Sequence, residues 1–175
     1  VQTNKTPSFK DVAEDSTYYD AVKQLSGDGI LNGYEDGTFK PDQKVARAEM
    51  AKLAYVLYTT FVDAGTAKTA FADVAADFWG AGYINWCSNK GIIGGYGDGK
   101  FGPQDKINYQ NALTMVVRTL GYTGLEWPWG YIQKAVELGL ADVTLVGDEN
   151  LIEDACKEEG VDISLFSIVH NPVEL

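Results

Sequence analysis

Apolar side chains recur at helical spacing in four separate segments of the chain. Tyr18, Ala21, Val22 and Leu25 share one face of a first predicted helix, and Met50, Leu53, Ala54, Leu57, Tyr58 and Phe61 share one face of a second. Tyr83, Ile84 and Cys87 then repeat the first pattern, and Leu113, Val116, Val117 and Leu120 repeat the second. Asp15 or Ser16, and Asp77, are suited to cap the first helix of each pair. Gly29 and Gly91 stand where a helix closes on a residue of positive φ, after which Ile30-Leu31 and Ile92-Ile93 return the chain to the core.

Between the two helices of each pair lies a glycine-rich loop. Gly33 to Phe39 reads Gly-Tyr-Glu-Asp-Gly-Thr-Phe, and Gly95 to Phe101 reads Gly-Tyr-Gly-Asp-Gly-Lys-Phe. Pro41 and Val45 are matched by Pro103 and Ile107, and Phe9-Lys10-Asp11-Val12 by Phe71-Ala72-Asp73-Val74, all at a constant offset of about 62 residues that marks a tandem repeat. Such loops use glycine for tight turns and Asp to bond nearby amides, while Phe39 and Phe101 can plug each loop onto the helices. Asp63–Thr69 and Gly121–Gly124 read as connectors.

A third unit opens at Trp127-Pro128-Trp129-Gly130-Tyr131-Ile132 and runs through Ala135, Val136 and Leu138 to Gly139, matching Trp79 to Gly91. It then departs, because Ala141 to Asp148 stand where the glycine-rich loop belongs and no second Arg-Ala-Glu follows. Leu151 to Glu159 reads as a short helix, and Val161 to Val169 has strand-like composition.

Composition narrows the function. A chain of 175 residues that is 45% hydrophobic suits one compact domain or a few small units sharing a core, which argues against disorder throughout. A net charge of −11 argues against nucleic acid or an anionic membrane as the main partner, since both attract clustered Lys and Arg. No apolar run reaches the roughly 18 to 20 residues a membrane helix needs, and Val1 opens no signal segment. The sequence is thus expected to be intracellular or a trimmed, exported fragment. Two cysteines, Cys87 and Cys156, make neither a metal site nor a dense disulfide framework, and two buried thiols are expected in preference to a disulfide.

Catalysis has little support in the residues. The single histidine, His170, has no nucleophile motif beside it, and the acidic pairs Glu14-Asp15 and Glu158-Glu159 are adjacent solvated charges. The loop is no calcium-binding hand, since Tyr34 and Gln43 occupy ligand positions. No phosphate loop or zinc spacing is present, so neither a metal nor a cofactor is expected.

Phe-x-Asp-Val, an aromatic first helix, Gly-Ile, Gly-Tyr-x-Asp-Gly-x-Phe-x-Pro and Val-Ala-Arg-Ala-Glu together resemble S-layer homology repeats. The likeness covers residues 9 to 122, weakens to about 140 and ends by about 150. It implies a mostly α, pseudo-three-fold domain around a central helix bundle, with the third repeat incomplete or divergent. The expected organisation is a leader at 1–8, repeats at 9–62 and 71–122, a partial repeat at 127–150 and a divergent tail at 151–175. Members of that family anchor surface proteins non-covalently to secondary polysaccharides of bacterial cell walls, often through a pyruvylated amino sugar.

The resemblance also assigns residues. Its Thr-Arg-Ala-Glu motif falls on Ala46, Arg47, Ala48 and Glu49. Thr-x-x-Glu before an apolar helix is a capping box, so Glu49 is read as a structural cap, and Ala46 forgoes roughly 1 kcal/mol of capping for want of a hydroxyl. Arg47, read alone, is a solvated or ion-paired side chain. A capping box has no use for a guanidinium there, and the resemblance makes Arg47 the ligand residue, a planar donor matched to a carboxylate. In the second copy Asn108, Tyr109, Gln110 and Asn111 replace the motif, leaving Asn108 as a cap and either one intact groove as the maximum or a second groove that reads a neutral ligand.

Further ligand-binding candidates are Asp73 and Trp79, which would face Arg47 across a groove between repeats, with Asp11, Gly33, Tyr34, Gly95, Tyr96, Trp127 and Trp129. The alternative is that the aromatics at helical spacing are core and that each Asp after Phe is a helix cap. The expected function is a non-catalytic module of the bacterial cell surface that binds anionic wall polysaccharide. The alternative is a degenerate copy of the fold that mediates protein–protein interaction or surface-layer assembly with itself or another surface protein.

Overall fold

In the computed structural model, residues 9–59, 64–65, 68–146 and 149–169 are described. Phe61, His170 and the 1–8 segment lie outside them. The chain forms two compact units, Val1–Ile107 and Asn108–Leu175. The first holds α1 (Tyr19–Gly27), α2 (Arg47–Thr59) and α3 (Ala81–Asn89). The second holds α4 (Tyr109–Thr119), α5 (Trp129–Glu137), β1 (Thr144–Val146), α6 (Glu149–Glu158) and β2 (Ser167–Val169). The protein is mostly helical.

In the first unit α2 packs on α3. Ala48, Ala51 and Ala54 are essentially inaccessible, and these small side chains let the helices approach closely. Tyr55 then sets its ring edge-on to Tyr83 at 5.3 Å and to Trp86 at 5.1 Å. Ile84 and Phe101 are fully buried, each stabilising the fold by about 2 to 3 kcal/mol. The buried stripe of α2 is therefore rotated from the one expected. Leu57 and Tyr58 are half exposed because the alanine face, and not the face with the larger aliphatics, meets α3 most closely, Tyr58 touching it only at the Trp86 ring, 5.1 Å away. Leu120, expected in the core, is likewise exposed after α4.

The helix ends differ in how well local sequence foretells them. Gly29, Gly91 and Gly139 have φ of 73°, 71° and 68°, and the amides of Ile30, Ile92 and Leu140 return to the carbonyls of Leu25, Cys87 and Ala135 at 2.8–2.9 Å. This is the six-to-one closure that a left-handed glycine permits. The expected N-caps at Asp15, Ser16 and Asp77 are corrected. α1 and α3 start later, after Tyr18 and Gly80, with no side-chain cap. Successive backbone turns, such as Phe78 N to Ala75 O and Ala81 N to Phe78 O, lead into α3 instead.

α2 and α4 open in contrasting ways. Around Ala46, the amides of Arg47 and Ala48 donate to the carbonyls of Asp105 and Pro103, Ile107 N donates to Val45 O, and Ala46 forms an antiparallel bridge with Lys106. Those carbonyls supply acceptors where the absent threonine hydroxyl would have stood. α4 begins on its own side chain, Asn108 Oδ1 accepting from Asn111 N at 2.8 Å.

The second unit packs Leu113 and Val117 of α4 against Tyr131, Ile132 and Ala135 of α5, with Phe166 closing the cluster. Arg118 Nε donates to the Tyr131 hydroxyl at 3.0 Å, which satisfies that buried oxygen. β1 occupies the stretch where a third glycine-rich loop was missing, and it pairs in parallel with β2 in the register Leu145 with Ile168. A parallel pair needs a crossover, and α6 lies within it. The strand-like segment from Val161 is strand only at Ser167–Val169, since Ile163–Leu165 form a 3-10 turn capped by Asp162. Both cysteines are free thiols; Cys87 is fully buried, but Cys156 is only half-buried.

Candidate functional site

Both glycine-rich loops are built on one plan. The Asp11 carboxylate accepts from the amides of Phe39 and Lys40, both at 2.7 Å, and Asp73 accepts from Phe101 and Gly102 at 2.9 and 2.8 Å. Phe9 and Phe39 pair with ring centroids 5.4 Å apart, as do Phe71 and Phe101. A Cβ on Gly33 would lie 2.1 Å from the Phe9 ring and 2.6 Å from Thr38 O, and one on Gly95 would lie 2.4 Å from Lys100 O. Glycine is required here by close approach. The loop amides of Tyr34 and Tyr96 are spent on the carbonyls of Thr38 and Lys100.

The carboxylates are held ionised by this plan. The Phe39 amide, opposed by burial and helped by Lys40, keeps Asp11 below the usual carboxylate range. For Asp73 burial pushes upward, but the bonds from Phe101 and Gly102 prevail and its pKa is lowered. Both side chains thus clamp the loop turn.

Arg47 is equally committed. It is only 7% exposed; Nε donates to Phe101 O at 2.7 Å and Nη2 to Gly94 O at 2.8 Å. Its guanidinium carbon lies 4.5 Å from the Phe101 ring centroid and 4.8 Å from that of Tyr96. The side chain expected to meet an anion is thus a strut between α2 and the second loop. Tyr96 donates its hydroxyl to Asp105 in the same cluster.

A cleft of about 330 Å3 lies beside the first loop. Ile30, Leu31 and Leu53 form apolar parts of its wall, and Tyr34, Lys40, Glu49, Lys52 and Trp79 bring the chemistry. Trp79 is 51% exposed, its indole resting near Phe78 and Tyr83 at 5.3 and 6.4 Å. Lys52 Nζ reaches the Asn32 side-chain oxygen at 3.2 Å when that amide is turned to accept. Lys40 Nζ lies 4.1 Å from the Tyr34 ring centroid and 3.4 Å from Asp36 Oδ2.

Glu49 is partly engaged, with Oε2 accepting from Ala46 N at 2.6 Å, the carboxylate half of a capping box. Burial first, and then the charge of Glu49, push the Tyr34 phenol above its ordinary range, so it stays neutral; it also accepts from Gln43 Nε2. The cleft therefore offers the Lys52 ammonium and the Lys40 ammonium, the latter loosely paired with exposed Asp36, against the partly engaged Glu49 carboxylate, beside an exposed aromatic face. Such a surface suits an anionic, ring-bearing ligand.

Of the residues singled out by sequence, Gly33, Tyr34, Glu49 and Trp79 line this cleft. Arg47 and Tyr96 form the second cluster with Gly95 beneath it, and Asp11 and Asp73 lie inside the loop turns. Trp127, 54% exposed, and Trp129, half-buried against the local core, belong to the second unit. Lys40 and Lys52 were not foreseen. Lys52 follows Glu49 by three positions, a spacing that puts both on one helix face, and that signal was available.

The family model for the S-layer homology domain matches residues 8–51 and 70–112. The chain is 40% identical over 138 residues to a cell surface protein of Thermoanaerobacter kivui, covering 77% of this chain and 18% of that protein. It is 35% identical over 135 residues to a surface layer protein of Brevibacillus choshinensis, covering 73% and 12%. It is 32% identical over 120 residues to a cellulosome-anchoring protein of Acetivibrio thermocellus, covering 67% and 27%. The chain thus spans between 12% and 27% of the length of these relatives. With two matched segments that contain both clamped loops, this chain belongs to the S-layer homology domain family.

Proposed function

We propose that this chain is a non-catalytic anchoring module of the bacterial cell surface, which holds a larger protein to anionic wall polysaccharide through the cleft of the first unit. Membership of the family and the cell surface and surface layer proteins it resembles support the location. The observation that carries the binding reading is the half-exposed indole of Trp79 lining the same cleft as Lys52. The indole covers the apolar face of a sugar ring, and the ammonium pairs with an acidic substituent such as the carboxylate of a pyruvylated amino sugar. Arg47 acts at one remove, by holding the second loop on α2.

The test is retention of the chain on purified wall polysaccharide. Trp79→Ala and Lys52→Ala are each expected to weaken binding at least tenfold while leaving the melting temperature within a degree or two. Unchanged binding in both variants overturns the cleft as the site.

A second reading has one observation in its favour. In the second unit Leu120, Tyr122, Trp127, Leu138 and Leu140 are all exposed, apolar surface that a partner chain could cover. Size-exclusion chromatography with light scattering decides: a monomer across the micromolar range removes self-assembly.

A further inference from the structure

Lys40 has a backbone that does not suit it. Its φ is 59°, and among the described residues every other positive φ belongs to a glycine. The equivalent residue of the second copy is Gly102, with φ 68°. The same clamp holds both positions, Asp11 on the Lys40 amide and Asp73 on the Gly102 amide. The turn therefore asks for glycine, and the first copy carries a lysine in spite of the turn.

The local contacts of Lys40 at most offset the turn's preference and do not favour lysine over glycine. Its ion pair with Asp36 joins side chains that are 39% and 56% exposed, and its ammonium lies over the partly exposed Tyr34 ring. Exposed contacts of both kinds are weak beside the cost of a left-handed backbone. The surroundings differ between copies in a concerted way. A Cβ on Gly102 would collide with Asp105 Oδ2 at 2.2 Å and with the Tyr96 ring at 2.7 Å, so the second copy has filled the space. The first copy has Gln43 in place of Asp105; Gln43 bonds the Tyr34 hydroxyl, and the Lys40 ammonium lies over the Tyr34 ring, both residues lining the cleft. An observed left-handed outlier on the wall of a cleft is a reason to look for function.

We propose that Lys40 is a specificity-determining ligand contact of the cleft, the cation that confines recognition to glycans bearing an anionic substituent, carboxylate or phosphate. The inference rests on the cleft being the glycan site. The side chain is kept at the expense of backbone strain because the ammonium must stand on the Tyr34 side of the cleft, with Lys52 supplied from α2. Bound ligand exchanges the weak Asp36 pair for its own anionic group.

Lys40→Gly separates the two roles, since glycine fits the turn and removes only the side chain. The probes are purified wall polysaccharide in its native form, after reduction of its carboxylates to alcohols, and after removal of phosphate with hydrofluoric acid. The variant is expected to melt at the same temperature or higher, yet to bind the native polymer at least tenfold more weakly. The parent is expected to fall to the variant's level on whichever treated polymer has lost the recognised anion, which identifies that anion. If Lys40→Gly binds the native polymer like the parent while Trp79→Ala does not, this inference is wrong and the cleft stands. If Lys40→Gly loses equally on all three polymers, its charge is not the reason and the inference is again wrong. If neither variant weakens binding, the cleft itself is not the site.

Discussion

Arg47 Nη2 donates to the carbonyl oxygen of Gly94 at 2.8 Å across 47 residues of sequence. With Nε on Phe101 O, the guanidinium ties the start of α2 to both ends of the second glycine-rich loop. Removing it leaves the buried Phe101 carbonyl and the part-buried Gly94 carbonyl without their donor. Arg47→Ala is expected to cost about 3 kcal/mol of unfolding free energy, and Arg47→Lys more than half of that, because one ammonium cannot span both acceptors. Urea denaturation measures this; a loss below about 1 kcal/mol would show the strut to be dispensable.

Gly33→Ala and Gly95→Ala test the loop plan. Each new methyl meets a backbone carbonyl, Thr38 O or Lys100 O, which cannot swing aside as a side-chain end could. Each substitution is expected to destabilise by about 2 kcal/mol or more through overpacking. Gly94→Ala is the control, with nothing within 4 Å of the added Cβ and no left-handed backbone, and it should be near neutral.

Acid should loosen the loops first. Asp11 and Asp73 have folded pKa values below their ordinary range, so their contribution is fully present above the unfolded carboxylate value, about 4, and is lost as pH falls through the lower folded value. Melting temperature is expected to hold from pH 7 to 5 and to drop below pH 4. In Asp73→Asn that acid drop should be shallower, from a lower starting point at pH 7. An unaltered acid limb would count against the clamp.

The thiols should react unequally. Burial pushes the Cys87 thiol up to about 12, and its Sγ donates to Ala51 O at 3.3 Å, whereas Cys156 is half-buried on α6. At pH 8 an aromatic disulfide reagent is expected to titrate one thiol in the folded chain and the second only in denaturant. Loss of the denaturant-dependent thiol in Cys87→Ala identifies it; two thiols reacting in the folded chain would contradict the burial.

What the linear sequence showed most clearly was whatever two copies spell alike. The 62-residue offset pairs Asp11 with Asp73, Phe39 with Phe101 and Gly29 with Gly91, and each pair has the same geometry in the fold. Arg47 was opaque because its acceptors are backbone carbonyls, which every residue owns and no pattern marks. Tyr55 was missed for a related reason: its burial depends on rings of α3, and the period of α2 alone favoured Leu57. The β1–β2 pair is nonlocal and three residues long on each side, too short for periodicity to show. Lys40 was legible only as a difference between the copies, a lysine where its counterpart is glycine.

The opening of α2 gives the chain a direction. A copy followed by another starts its second helix on carbonyls lent from downstream, here Asp105 and Pro103, and has an arginine that grips the next loop. A copy with no such loop after it must start alone, and α4 does so on Asn108, with Tyr109 turned 60% to solvent where the arginine would have been. Copies at different ranks are therefore not interchangeable parts. Excising or duplicating one by recombination would strand a borrower without its lender, so a viable rearrangement has to move the junction from Val45 to Ile107 as a block.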